Sequence, residues 1–150
     1  MIIWQADPGF DLSGYQDAPC RNPETLRERV KNPNGVCSGT VSPTDGFQDI
    51  LLKLRELTID FKKPVVLVHG DSHYFMVDKP LLDAHGRLVE NFTRVETFGD
   101  NTFKTCPPDQ PRCDDNHVHW VKALIDPQSR DVFAFQAQIV PANRIAVPAP

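Results

Sequence analysis

The order of strand and helix signals predicts a mixed α/β (α+β) domain, with a mixed β-sheet and few helices. Three observations carry this. The run Pro64-Val65-Val66-Leu67-Val68 reads as a buried strand. One clear amphipathic pattern precedes it, from about Asp45 to Phe61. Downstream, Phe92–Phe98 alternates apolar and polar residues, as a half-buried strand does.

In chain order, residues 1–6 form a short apolar strand that begins at the first residue. A core strand with no leader before it creates the expectation that the N-terminus is truncated. Residues 7–45 are rich in Pro, Gly, Asn, Asp and Ser and read as a long loop. Within it, Asn22-Pro23-Glu24 is expected to cap a short helix to about Lys31, stopped by Asn32-Pro33-Asn34-Gly35. In the main helix, Asp45 and Gln48 have capping-box spacing. Phe47, Ile50, Leu51, Leu54, Leu57 and Phe61 form one apolar face, with Leu52 and Ile59 opposite. His119–Ile125 and Val132–Ile139 are two further strands, joined as a hairpin through Asp126-Pro127-Gln128-Ser129. One β-α-β unit is thus expected to feed an antiparallel meander. Residues 1–140 make one domain, and 141–150 are a Pro-rich tail.

Length and charge narrow the function classes. A chain of 150 residues is one domain by size. A formal charge of -4, with no Lys/Arg run, argues against a nucleic-acid partner. No apolar run is long enough to span a bilayer, and Met1-Ile2-Ile3-Trp4 shows no targeting peptide. Cys20, Cys37, Cys106 and Cys113 include no C-x-x-C pair. Three disulfide connectivities are open, and local pairing (Cys20–Cys37, Cys106–Cys113) is the simplest. Disulfides imply an oxidising compartment, periplasmic or secreted. Four reduced thiols in a cytosolic protein are the plain alternative.

The chemistry concentrates where the buried strand ends, in His69-Gly70-Asp71-Ser72-His73. A rigid strand, a glycine turn, then a carboxylate and an imidazole two residues apart suit a hard divalent cation such as Mn²⁺, Fe²⁺ or Zn²⁺. The same turn is equally compatible with Asp71 capping backbone amides and His73 lying at the surface. His69, before the glycine, is the candidate catalytic side chain, orienting a ligand or bonding the substrate; a packed histidine is the plain alternative. His117 and His119 share a strand face expected to be solvated, and His85 sits in a turn. Asn91-Phe92-Thr93 matches a glycosylation sequon. No P-loop, G-x-S-x-G or dinucleotide fingerprint is present.

Several blocks together resemble the C-terminal part of a calcineurin-like metallophosphoesterase. They are Pro64–Phe75, Asp78-Lys79-Pro80-Leu81, Asn91–Gly99 and Val118–Val121, with Trp4-Gln5-Ala6-Asp7 near the start. The likeness is to a bacterial branch whose last metal motif reads Gly-Asp-Ser-His. It implies a four-layer αββα sandwich and a dinuclear metal centre that hydrolyses a phosphate ester. It makes His73 a metal ligand, puts Asp71 where the family usually has a histidine, and sets Gln5 near a block that usually supplies another. The family's earlier motifs, Asp-x-His, Gly-Asp-x-x-Asp and Gly-Asn-His, are absent from this sequence. The resemblance therefore implies a fragment, inactive by itself, whose partners are the phosphate-ester substrate and the missing N-terminal half. A non-catalytic, disulfide-stapled binding module derived from that fold is the competing expectation.

Overall fold

The computed structural model describes residues 1–10, 20–34, 36–70, 75–99 and 119–140. They form a mixed α/β structure of nine strands and one helix. The main sheet has the order β1-β5-β7-β6, built from β1 (Ile2–Ile3), β5 (Val65–His69), β7 (Phe92–Glu96) and β6 (Met76–Asp78). β1 and β7 flank β5 in parallel, and β6 runs antiparallel along β7.

The helix α1 (Gln48–Phe61) packs on this sheet. Asp45 starts it, accepting the amides of Phe47 and Gln48 on Oδ1 at 3.0 and 3.1 Å. The Gln48 side chain donates to the Thr25 carbonyl instead of closing a capping box. Lys62 ends the helix with φ 56°, and its amide turns back to the Thr58 carbonyl. The core beneath holds Phe10, Leu26, Leu51, Leu54, Leu67, Leu81, Val89 and Phe92. Leu52, expected opposite the core face, is partly buried and packs against that core. Ile50, Leu57 and Phe61, expected inside, are exposed.

Two further expectations change. β7 is parallel to β5, so it does not open an antiparallel meander. Parallel pairing needs a long connection, and the 22 residues between those strands include β6. The polar segment before α1 is not a loop with a helix. It is a three-stranded antiparallel sheet of β2 (Cys20–Arg21), β3 (Glu28–Lys31) and β4 (Cys37–Val41). Asn22 does cap, accepting the amides of Glu24 and Thr25. Leu26 then takes φ 55°, and the Asn22 amide bonds the Arg27 carbonyl at 2.8 Å, so the turn closes a hairpin before any helix can propagate.

Side-chain ties hold this small sheet. Cys20 and Cys37 form a disulfide, consistent with an oxidising environment; Cys106 and Cys113 lie outside the described residues. The buried Arg21 donates to the carbonyls of Pro8 (2.8 Å) and Leu26 (2.6 Å) and to both carboxylate oxygens of Asp45 (2.7 and 3.0 Å). Burial opposes ionisation of Asp45. The Arg21 guanidinium and the amides of Glu28 and Phe47 outweigh it and hold the carboxyl at about 2.

The hairpin of β8 (Trp120–Ile125) and β9 (Phe133–Gln138) forms as expected. The sequon asparagine is structural: Asn91 Nδ2 donates to the carbonyls of Thr58 (2.8 Å) and Lys63 (3.0 Å), tying the end of α1 to the start of β7. Among the described residues no helix is long and apolar enough to cross a membrane.

Candidate functional site

Three parallel strands, β1, β5 and β7, end together at one sheet edge. In open α/β sheets, ligands bind beyond such carboxyl ends. Backbone bonds continue past the strand ends. The Trp4 amide donates to the Val68 carbonyl (3.1 Å), the Gly70 amide to the Gln5 carbonyl (3.1 Å), and the Thr97 amide to the His69 carbonyl (2.8 Å). The Thr97 hydroxyl donates to that same carbonyl at 3.1 Å. Gly70 is thereby clamped between Gln5 and Thr97, and an added Cβ would lie 3.4 Å from Thr97 Oγ1 and 3.7 Å from the Gln5 carbonyl oxygen.

His69 is buried at the end of β5, with Nδ1 3.1 Å from the Gly70 carbonyl. It stands in register with the buried Glu96 of β7, and paired residues of neighbouring strands share a face. Two residues earlier on that face, the buried Arg94 donates to Asp78 from Nε (2.8 Å) and Nη2 (2.5 Å). The Arg94 guanidinium also lies 5.7 Å from the centroid of the Phe10 ring. The strand ends therefore present imidazole, carboxylate and guanidinium in sequence on a buried face. Burying charge is costly unless it is paired, and the buried Arg94 is paired with Asp78 of β6.

Asp71 and His73, the expected metal ligands, lie outside the described residues. Among the described residues no group of three His, Cys, Asp or Glu side chains is placed to hold a metal. The described donors do not make up a metal centre by themselves, and no chemical step is routed through one. Gln5 is exposed, and its backbone carbonyl is what reaches the site. His119 stands edge-on to Phe98 at 5.1 Å and accepts the Val140 amide at 3.3 Å; His117 is outside the described residues. His85 sits in the Asp83 turn, as expected, with its amide on Asp83 Oδ1. Glu96 and Arg94 were not singled out in the sequence; the signal was charged residues at alternating positions inside an apolar strand.

Comparison with protein-family models, with curated proteins and with solved structures gives no match to this chain.

Proposed function

We propose that this chain carries the last metal-binding turn of a phosphoesterase. Asp71 and His73 would hold a divalent cation (Mn²⁺, Fe²⁺ or Zn²⁺), and the substrate would be a phosphate ester. When bound, the metal supplies Lewis-acid and water-activating chemistry. The surrounding residues orient the turn: Gly70 passes between the Gln5 carbonyl and Thr97, and His69 anchors the strand end from within. The αββα sandwich and a periplasmic or secreted setting belong to the same reading.

One observation supports it above others. Three blocks of the family resemblance, far apart in sequence, meet at Gly70: Trp4–Asp7, Pro64–Phe75 and Asn91–Gly99.

The test is Mn²⁺ binding followed by the loss of the free-ion electron paramagnetic signal. The chain is expected to bind Mn²⁺, and His73→Ala and Asp71→Ala each to weaken binding at least about tenfold, since even groups that only orient a metal ligand cost that much when removed. Binding indifferent to both substitutions contradicts the reading. The Cys20–Cys37 clasp favours a second reading, a binding module without catalysis. That module would bind no Mn²⁺ and still unfold in one cooperative transition.

A further inference from the structure

The Cys20–Cys37 bond joins the two outer strands of the β2-β3-β4 sheet across β3. Its two ends differ in access. Cys20 is 1% exposed, whereas Cys37 is partly exposed and opens a strand whose last three residues, 39–41, lie in solvent. Thiol–disulfide exchange begins when a thiolate reaches one of the two sulfurs, and Cys37 is the end on offer. Little else fixes the small sheet. Within β2, β3 and β4 only Cys20 and Arg21 are buried, and β2 meets β3 over two residue pairs.

What the disulfide fixes reaches the main sheet through Arg21, the next residue. Its Nε donates to the Pro8 carbonyl at 2.8 Å, and its other nitrogens hold Leu26 and Asp45. Pro8 belongs to the buried run of residues 7–10, where Gly9 turns with φ 69° and its amide donates to Asp7 Oδ1 at 2.7 Å. That run ends on Phe10, whose ring lies 5.9 Å from Phe92 and 5.7 Å from the Arg94 guanidinium. Phe10 therefore caps β7 on the face that carries Arg94, Glu96 and His69. Among the described residues, the Arg21–Pro8 bond is the polar tie between this cap and the disulfide-bonded sheet.

We propose that the Cys20–Cys37 disulfide is a redox switch. Oxidised, it keeps Phe10 seated on β7; reduced, it lets residues 7–10 lift and admits solvent to the face of Arg94, Glu96 and His69. The reductant is a small thiol. Its thiolate attacks Cys37 Sγ, the S–S bond breaks, and the electron pair leaves on Cys20 Sγ, which takes up a proton. A second thiolate attacks the reductant's sulfur in the mixed disulfide and releases Cys37. Two reductant thiols become one disulfide, and the protein gains two thiols. The constraint across a sequence separation of 17 is then gone, and β2 with Arg21 opens more often than the packed strands do. This inference needs no cation, so it stands or falls apart from the phosphoesterase reading.

Hydrogen exchange on the whole chain, before and after dithiothreitol at neutral pH without denaturant, reads the switch. Alkylation and peptide mass report which cysteines are reduced, and Cys106→Ser with Cys113→Ser confines the change to Cys20 and Cys37. Reduction is expected to raise exchange at Asp7, Gly9, Phe10 and β2 at least about tenfold, to leave β5 within about twofold, and to reverse with glutathione disulfide. Arg21→Gln in the oxidised chain should raise exchange at Gly9 and Phe10 in the same way, with the disulfide intact. If the serine variant does not fold, the same peptides of the native chain carry the test. A bond that resists reduction until urea unfolds the chain overturns the proposal. So does exchange at Gly9 and Phe10 that stays unchanged on reduction or in Arg21→Gln. Loss of protection in both sheets together also overturns it, because that is the behaviour of a structural staple.

Discussion

The two larger sheets are held by opposite means. The β1-β5-β7-β6 sheet is a packed structure: Leu67, Phe92 and Val95 are fully buried, and α1 covers one face. The β2-β3-β4 sheet contributes few core side chains, and β4 is largely exposed. It is held by point ties: the Cys20–Cys37 disulfide and the Arg21 hub to Pro8, Leu26 and Asp45. Packed structure fails through cavities spread over many contacts. Tied structure fails when one bond goes.

Substitutions sharpen that contrast. Phe92→Ala should cost about 3–5 kcal/mol, the range for a fully buried aromatic, and lower the urea midpoint of the whole molecule. Arg21→Ala should cost about as much, because it leaves Asp45 and two carbonyls without their guanidinium. Here hydrogen exchange should rise first at β2–β4 and the start of α1, while β5 and β7 stay protected. Equal loss of protection in both sheets would remove the distinction. Cys20→Ala with Cys37→Ala should cost about 3 kcal/mol in urea unfolding, given a loop with a sequence separation of 17. Asn91→Ala, losing two bonds that tie α1 to β7, should cost about 1–2 kcal/mol in the same assay. Glycan attachment at the Asn91 sequon should be undetectable in the folded protein by intact mass.

Acid provides the smallest and most selective probe. The Asp45 carboxyl is held at about 2, below its unfolded value near 4. The folded state therefore binds fewer protons, and this stabilisation is complete above about pH 4 and lost as pH falls towards 2. Glu28 opposes it: burial, then the Asp45 charge, raises its carboxyl, so its share of stability declines as pH rises through the unfolded value. Asp83, held at about 2 chiefly by the Arg87 amide, is lost in the same window as Asp45. Asp45→Asn should flatten the acid limb of the pH–stability curve at β2–β4 more than at β5. An unchanged limb would show that Asp83 and other carboxylates set it.

The same contrast explains what could be read from the sequence. Packed elements announce themselves by period: the Val65–Val68 run and the helix to Phe61 are where their patterns put them, and a strand does form at Phe92–Glu96, but it is buried along most of its length, Arg94 and Glu96 included, where a half-buried strand is expected. Tied elements do not. β2, β3 and β4 are short and polar, and their stability resides in Cys20–Cys37 and Arg21–Asp45, contacts 17 and 24 residues apart in sequence. β6 has three residues and no period to read. The helix pattern marked Ile50, Leu57 and Phe61 as apolar, but not whether their own sheet covers them. At the candidate site, His69 was visible because a glycine follows it. Glu96 was hidden because its role follows from register with β5, which period alone does not reveal.

The ends of β1, β5 and β7 converge at Gly70, next to the Asp71 and His73 proposed as cation ligands. Substoichiometric Mn²⁺ added to the ¹⁵N-labelled chain tests that proposal most directly, because the paramagnetic ion broadens nearby amide signals. Gln5, Gly70, Glu96 and Thr97 are expected to broaden first and together, Ser38–Val41 to stay sharp, and His73→Ala to abolish the effect. Broadening centred on surface carboxylates such as Glu56 or Asp83, with the strand ends unaffected, would contradict it.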